Sequence, residues 1–224
     1  NLLMEHHPES SIFITGNTAI DALRLTVQEN YHHQVLDQLD PQKKLVLVTM
    51  HRRENQGQPM RAVFAALREM VDAHPELEVV YPVHLSPAVQ EVAKDILGDH
   101  DRIHLIAPLD VFDFHNLASR SYFIMSDSGG VQEEAPSLGK PVLVLRDTTE
   151  RPEGVKAGTL KLVGTDPERV KEEMTALLTD HDLYQKMASA RNPYGDGKAS
   201  ERIVQAIQHY YGLVEVVSEF IEGE

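Results

Sequence analysis

From about residue 44 the sequence alternates short apolar runs with longer amphipathic stretches, and this alternation is what most constrains the fold. The run 44–49 (KLVLVT) has no internal charge, which is typical of a strand covered on both faces. An amphipathic stretch at 59–73 follows and indicates a helix. Short connections between such pairs indicate βαβ units with right-handed crossovers. The sequence therefore predicts an α/β fold, a doubly wound, Rossmann-like parallel sheet.

The other predicted elements follow the same order along the chain. The predicted strands are 78–83, 103–106, 121–125 and 141–145, and the helices between them are 86–97, 110–119 and 130–138. Three further helices are predicted at 166–179, 182–190 and 198–211. The first 40 residues are predicted to hold a strand at 12–15 and a helix at about 18–30, and 146–158 is predicted to be a loop.

The net charge argues against a nucleic-acid partner, and the distribution of apolar residues argues against membrane contact. Lys and Arg total 21 and Asp and Glu total 35, which gives a net charge of −14. Such a chain repels polyanions, so we expect no nucleic-acid partner. No apolar run reaches the roughly 18 residues of a membrane span, and the first ten residues (NLLMEHHPES) do not resemble a signal peptide. We therefore expect a cytoplasmic protein without membrane contact.

The residues after the strand at 121–125 carry the strongest chemical signal. In parallel α/β sheets, ligands bind beyond the carboxyl ends of the strands. Here Ser128, Gly129 and Gly130 stand at the start of a predicted helix, where exposed N–H groups and the positive end of the helix dipole favour a phosphate. Glu133 and Glu134 lie one turn further on and could accept ribose hydroxyls. The alternative is a tight turn capped by Ser128 with Gln132 nearby.

Three more loops at predicted strand ends carry candidate residues. The segment 50–55 (MHRREN) places His51 and two arginines directly after a buried strand. Arginine guanidinium groups match the geometry of phosphate. His84 follows the next strand, where it could equally be a helix-start residue. In the loop after 141–145, Arg146 and Arg151 could reach a ligand or could pair with acidic neighbours in the same loop, at 147, 150 and 153.

The motifs of several common sites are missing from the sequence. It contains no cysteine, which excludes disulfides and thiolate chemistry. The adjacent histidine pairs at 6–7 and 32–33 do not share a helix face, and HExxH, GxSxG, GxGxxG and GxxxxGK[ST] do not occur. We therefore expect no bound metal. Phe114 could stack on a base or could simply pack in the core.

Three stretches resemble the bacterial non-hydrolysing UDP-N-acetylglucosamine 2-epimerases and occur in the order in which that family has them: 14–23 (ITGNTAIDAL), 50–55 (MHRREN) and 126–135 (SDSGGVQEEA). The resemblance runs from about residue 1 to 212. It implies the carboxyl-terminal, nucleotide-binding half of a two-domain fold similar to that of the GT-B glycosyltransferases, with the amino-terminal domain absent from this chain.

The resemblance also implies a domain organisation. Residues 1–40 would be an interdomain segment and entry helix, and 41–197 a UDP-binding domain. A helix at 198–212 would cross back to the absent domain, and 213–224 would be an acidic tail. In the family, dimerisation runs through the amino-terminal domain, so the full-length protein could be a homodimer while the oligomeric state of this chain stays open.

The family's binding residues can be carried over where the motifs match. The turn at Ser128–Gly130 would hold the phosphates of UDP, Glu134 would take the ribose hydroxyls, Phe114 would lie against the uracil, and Arg151 would lie near the nucleotide. These are implications of the resemblance alone.

Three further residues have implied roles in the reaction and its control. His51 would be the active-site histidine near the leaving UDP. Arg52 and His84 would contact a second, activating UDP-GlcNAc molecule in family members that their own substrate activates. One departure affects His84: the family usually has Asn-Pro after this loop, whereas this chain has Ser86-Pro87.

The resemblance implies conversion of UDP-GlcNAc to UDP-ManNAc for cell-surface polysaccharide, by elimination and re-addition of UDP, without a cofactor. The family's acid–base carboxylates lie in the absent domain, so this chain is expected to bind UDP and to be inactive alone. Three alternatives stay open: a hydrolysing epimerase, half of a GT-B glycosyltransferase, and a UDP-binding module without catalysis.

Overall fold

The computed structural model describes residues 1–221, and its centre is a parallel sheet. Within those residues the sheet has six strands in the order β3-β2-β1-β4-β5-β6. The strands are β1 (Lys44–Thr49), β2 (Leu77–Pro82), β3 (Ile103–Ile106), β4 (Phe123–Ser126), β5 (Val142–Val144) and β6 (Leu160–Leu162). All five neighbouring pairs are parallel. The predicted α/β class with a doubly wound parallel sheet is confirmed.

The helices cover both faces of the sheet. They are α1 (Thr18–Thr26), α2 (Gln58–Ala73), α3 (Pro87–Leu97), α4 (Val111–Arg120), α5 (Gly129–Glu134), α6 (Pro152–Ala157), α7 (Pro167–Thr179), α8 (His181–Ala188) and α9 (Ala199–Tyr210). None of the helices in the described residues is long and apolar enough to cross a bilayer.

Alternate residues of each strand enter two separate cores. In β1, Val46 and Val48 pack with residues of α2, α3, α7 and α8. Leu45 and Leu47 point to the other face and pack with residues of α4 and α5. A strand buried on both faces needs apolar residues at every position, which explains the uninterrupted run that marked β1 in the sequence.

The prediction of a strand at 12–15 is wrong. These residues carry no strand within the described part of the chain, and Ile12, Phe13 and Thr15 instead line an apolar hollow of about 520 Å³ against α9. The sixth strand is β6, which sequence reasoning missed because three residues are too short for a period-2 pattern. α6 likewise lies within the segment predicted to be a loop.

Two predicted helices end earlier than expected. The helix predicted at 18–30 ends at Thr26, after which Val27 is extended. The helix predicted at 130–138 is α5 as far as Glu134, and a 3-10 turn continues it from Ala135 to Leu138. Pro136 explains the change, since proline has no N–H to donate and its ring clashes with the preceding turn.

An ion pair anchors α9 to the loop before it. Arg202 donates from Nη1 and Nη2 to the two carboxylate oxygens of Asp196, at 2.7 Å each. Beyond this anchor the helix leaves apolar side chains exposed, with Val204 52% and Ile207 54% accessible.

The Asp196–Arg202 pair is expected to make part of the stability depend on pH. Hydrogen bonding to Arg202 lowers the pKa of Asp196 from 3.8 to about 2. The pair therefore stabilises the fold fully above the unfolded-state pKa, and this stabilisation is lost as the pH falls towards 2. Because the carboxylate is 40% exposed, solvent screening leaves a contribution of about 1 kcal/mol.

Urea unfolding of Asp196→Asn beside the unmodified chain, from pH 6 down to pH 2.5, checks this. The difference in unfolding free energy is expected to shrink as the pH falls. The exposed Asp182→Asn serves as the control, and a difference that stays constant for Asp196→Asn would contradict the assignment.

Candidate functional site

The loops after β1 and β4 meet at the point where the strand order reverses. β1 and β4 are neighbours, and Thr49 is the register partner of Ser126 at their carboxyl ends. The helices that follow these strands, α2 and α5, cover opposite faces, so the two loops diverge and leave a crevice between them. The Thr49 and Ser126 hydroxyls lie 2.7 Å apart at its floor.

A buried carboxylate joins the two loops. Asp127 is 0% exposed, and its Oδ2 accepts from the backbone N–H groups of His51 at 3.0 Å and Arg52 at 2.8 Å, and from Asn55 Nδ2 at 3.0 Å. Asn55 Nδ2 also donates to the backbone oxygen of Leu145, after β5. Asp127 thus sets the path of the His51 loop across the end of the sheet.

Sequence reasoning assigned no role to Asp127. The sequence did place polar residues directly after the two buried strands β1 and β4. The contact of Asp127 with the His51 loop, however, requires β1 and β4 to be neighbours, and the strand order cannot be read from the sequence.

The turn before α5 is organised by Ser126. Ser128 N donates to Ser126 Oγ at 3.0 Å, and Gln132 Nε2 donates to the backbone oxygen of Ser128 at 3.2 Å. Within residues 1–221 the Ser128 side chain makes no capping hydrogen bond. The alternative interpretation, a tight turn capped by the Ser128 side chain, is therefore wrong, and the Ser128 hydroxyl is available to another group.

The two glycines of this turn are not required by the fold. A Cβ built on Gly129 would meet nothing closer than 3.8 Å, and one on Gly130 likewise nothing closer than 3.8 Å. Every other glycine among residues 1–221 has either a positive φ or a neighbour within 3.0 Å of such a Cβ. Glycine that neither backbone conformation nor packing demands is typical of a backbone that a ligand approaches closely.

Two guanidinium groups flank Gly129. The atoms nearest to a Cβ at this position are Arg151 Nη2 at 3.8 Å and Arg52 Nη2 at 3.9 Å. The Arg151 Nε donates to Glu133, while Arg52 Nη1 lies 3.9 Å from Glu150 Oε1. Two cations therefore face the start of α5, where first-turn N–H groups point outward.

Arg146 does not reach this space. It is buried and donates from Nη1 and Nη2 to the two oxygens of Glu150, at 2.7 and 2.9 Å, and from Nε to Glu54 at 3.0 Å. The hydrogen bond from Arg146 lowers the pKa of Glu150 to about 2. Both arginines considered in this loop form internal ion pairs, but only Arg151 of the two also has a guanidinium nitrogen beside Gly129.

The neighbouring carboxylates of α5 have different partners. Glu133 accepts from Arg151 and from Asn17 Nδ2, so its oxygens are occupied within the protein. Glu134 Oε2 lies 3.2 Å from His115 Nε2, and its Oε1 lies on the side of Gly130, 3.8 Å from a Cβ built there. Of these two carboxylates, Glu134 is the one with an oxygen beside the turn at Gly130.

Two histidines stack beside the crevice. The rings of His51 and His84 are 5.2 Å apart and inclined by 11°. His51 Nδ1 lies 3.6 Å from Asp127 Oδ1, and His84 Nδ1 accepts from the backbone N–H of Ser86 at 3.1 Å. His84 therefore combines the helix-start bond considered from the sequence with a position against His51.

Phe114 stands apart from these groups. It lies on α4, half-buried against the core shared by α4 and α5, one residue before His115, which contacts Glu134. No group of three or more His, Asp or Glu side chains in the described residues could hold a metal ion.

Comparison with known proteins identifies the family. The sequence model of the family described as UDP-N-acetylglucosamine 2-epimerase matches residues 1–208. The chain belongs to this family.

Its relatives share both sequence and fold. The chain is 61% identical over 212 residues to a UDP-N-acetylglucosamine 2-epimerase of Bacillus subtilis (strain 168), a match that covers 95% of this chain and 56% of the relative. A structure of a putative UDP-N-acetylglucosamine 2-epimerase from Listeria monocytogenes superposes with a TM-score of 0.93 at 55% identity, covering 99% of this chain and 59% of that one.

A structure from S. aureus, described as a co-structure with UDP, has a TM-score of 0.93 at 53% identity, covering 98% of this chain and 60% of that one. This chain therefore spans a little over half the length of the epimerase relatives it matches.

Proposed function

We propose that this chain is the nucleotide-binding part of an enzyme that converts UDP-GlcNAc to UDP-ManNAc. The observation that carries the proposal is the pair Gly129 and Gly130, which the fold does not require, with the guanidinium groups of Arg52 and Arg151 on either side of Gly129. A close backbone approach flanked by two cations suits a diphosphate. Membership of the epimerase family supplies the rest of the ligand, a uridine nucleotide carrying N-acetylglucosamine.

In this proposal the turn at Ser128–Gly130 and Arg151 hold the diphosphate of UDP. When the bond between the anomeric carbon and the diphosphate oxygen breaks, its electron pair stays on UDP as negative charge. N–H groups and guanidinium groups that are already in place stabilise that charge without reorganisation. The proton at C2 leaves in the same elimination, which gives a 2-acetamidoglucal and UDP. UDP then adds back at the anomeric carbon while a proton is returned to the opposite face of C2, so that the configuration is inverted at C2.

His51 is the active-site histidine of the proposal and lies near the leaving UDP. Asp127 binds the backbone N–H of His51 and lies 3.6 Å from its Nδ1, which orients the ring towards the crevice. A histidine there can exchange a proton with the departing diphosphate, since an imidazole can both donate and accept a proton.

The remaining site residues bind the nucleoside and a second ligand. Glu134 accepts hydrogen bonds from the ribose hydroxyls, in agreement with the contrast to Glu133, whose oxygens are occupied by Arg151 and Asn17. Phe114 lies against the uracil. Arg52 and the stacked His84 contact a second, activating UDP-GlcNAc molecule.

The acid–base carboxylates that remove and return the C2 proton belong, in this proposal, to the part of the relatives that this chain does not span. Residues 41–197 form the UDP-binding domain and 1–40 lead into it. The helix at 198–212 carries the exposed apolar side chains Val204 and Ile207 that would meet the other domain. The segment 213–224 is an acidic tail, whose residues 222–224 lie outside the described structure.

Calorimetric titration with UDP tests the proposal. The unmodified chain is expected to bind UDP, and Glu134→Ala to bind it about thirtyfold more weakly, because hydrogen bonds from hydroxyls to a carboxylate are lost. Glu172→Ala, on the far helix α7, is the matched control and is expected to bind normally. Absence of UDP binding at millimolar ligand would contradict the proposed site.

A turnover assay with UDP-GlcNAc separates the alternatives. We expect this chain alone to form neither UDP-ManNAc nor free sugar. Release of free ManNAc and UDP would indicate a hydrolysing epimerase instead, and transfer to an acceptor would indicate a GT-B glycosyltransferase. UDP binding without turnover, even when the missing half of a relative is added, would favour a binding module.

A further inference from the structure

A buried histidine lies behind the proposed ribose site, and the proposed function does not use it. His115 on α4 is 2% exposed. Its Nε2 lies 3.2 Å from Glu134 Oε2, and its Nδ1 lies 2.7 Å from Thr26 Oγ1 at the end of α1. The imidazole thus connects three helices, α1, α4 and α5, at the carboxylate of Glu134.

The contact with Glu134 determines where the imidazole carries a proton. An ionised carboxylate only accepts hydrogen bonds, so Nε2 must be protonated to bond it. The Thr26 hydroxyl can donate to Nδ1, which leaves the neutral ring with its proton on Nε2, or it can donate to the backbone oxygen of Ala22 at 3.0 Å and face a fully protonated ring. Both arrangements direct an N–H from His115 to Glu134.

The neighbouring residue keeps this arrangement in place. Asn116 Nδ2 donates to the backbone oxygen of Thr26 at 2.7 Å, and its Oδ1 accepts from the backbone N–H of Gln28 at 2.9 Å. Asn116 is itself fully buried. The end of α1 is therefore tied to α4, and Thr26 cannot move away from the His115 ring without breaking buried hydrogen bonds.

We propose that His115 is a positioning residue that gives the site its preference for nucleotides with an intact ribose. By binding Oε2, it holds the Glu134 side chain so that Oε1, on the Gly130 side, meets the ribose hydroxyls. The inference rests on the proposed function, since it assumes that Glu134 binds ribose. It predicts that His115 matters only for ligands that carry those hydroxyls.

The test compares UDP with 2′,3′-dideoxyuridine diphosphate, titrated calorimetrically into the full 224-residue chain and its variants. His115→Leu is expected to weaken UDP binding about tenfold and to leave the dideoxy ligand within about twofold. His115→Gln, whose side-chain amide can donate in place of Nε2, is expected to restore most of the preference. Equal weakening of both ligands by His115→Leu would overturn the proposal, since that is what a merely structural role predicts.

A matched control and a second variant keep the outcome decisive. His104 pairs with buried Glu78 in the same way, at 2.8 Å, on the far edge strand β3, so His104→Leu is expected to alter stability and not the ratio of the two affinities. If His115→Leu does not fold, Thr26→Val carries the test. This substitution removes the hydroxyl that orients the His115 ring. It is expected to weaken UDP binding about threefold and to leave the affinity for the dideoxy ligand unchanged. An unchanged ratio in Thr26→Val would then overturn the proposal.

The variant Glu134→Gln distinguishes the two levels of the argument. If it leaves the ratio of UDP affinity to dideoxy-ligand affinity unchanged, Glu134 does not bind the ribose hydroxyls. The assignment of Glu134 to the ribose then fails together with this inference. If it lowers the ratio while His115→Leu does not, the ribose assignment stands and the role of His115 alone is overturned.

Discussion

Replacing Asp127 by alanine is expected to lower the free energy of unfolding by about 4 kcal/mol and to abolish measurable UDP binding. The carboxylate is fully buried and accepts from two backbone N–H groups and from Asn55 Nδ2. Its removal leaves the part-buried N–H groups of His51 and Arg52 without their acceptor, and Asn55 Nδ2 keeps only Leu145 O. Each unsatisfied donor costs about 1–3 kcal/mol. The His51 loop would also lose the contact that places it at the end of the sheet.

Urea unfolding measures the stability effect, and calorimetry with UDP measures the binding effect. Asp127→Asn is expected to cost about half as much, because one acceptor oxygen remains while the new NH₂ group faces other donors. Asp101→Ala, in an exposed turn, is the control and is expected to stay within about 0.5 kcal/mol. A cost below about 1 kcal/mol for Asp127→Ala would mean that the loop is held by something else.

Replacing Gly129 by alanine is expected to separate folding from binding. In the folded chain the new methyl group would sit in ordinary van der Waals contact, 3.8 Å from Arg151 Nη2 and 3.9 Å from Arg52 Nη2. Alanine is also the better helix former, so stability is expected to stay equal or to rise by about 0.5 kcal/mol. The methyl would, however, occupy the space in which we propose the diphosphate lies, and UDP affinity is expected to fall at least about a hundredfold.

The thermal midpoint without UDP, measured beside the affinity, tests this separation. Gly154→Ala is the contrasting variant. Its Cβ would clash with the Leu160 side chain, so this substitution is expected to destabilise the fold by packing alone. If Gly129→Ala binds UDP normally, the phosphates do not approach this turn. The glycines at 129 and 130 would then no longer support the proposed function.

The order of strands and helices from residue 44 to the end of β5 could be predicted from the sequence, because it depends on local periodicity. The segment at 12–15 shows where that reasoning ends. Its residues are as apolar as those of a strand, yet they lie against α9, while three residues with a central lysine form the edge strand β6. Whether a short segment joins a sheet depends on which edge is open, and that is a long-range property.

The same division applies to the site. The loops that meet at the crevice were predictable, since the carboxyl ends of parallel strands share one edge. The distinction between Glu133 and Glu134, and between Arg146 and Arg151, was not predictable from the residues themselves. Arg146 is held in ion pairs away from Gly129, whereas Arg151 lies beside Gly129 and pairs with Glu133; Glu134, not Glu133, has an oxygen beside Gly130. The partners are distant in the sequence or set by the turn of a loop.

The sequence by itself determined the fold class, the family and the four loops in which we propose that the chemistry lies, because periodicity and motifs are local properties. Only the tertiary structure decided that Asp127 is buried between β1 and β4, that Gly129 and Gly130 are not needed by the fold, and that His115 stands behind Glu134. Each of these facts is a relation between residues from different elements. Such relations exist only once the strand order has brought the elements together.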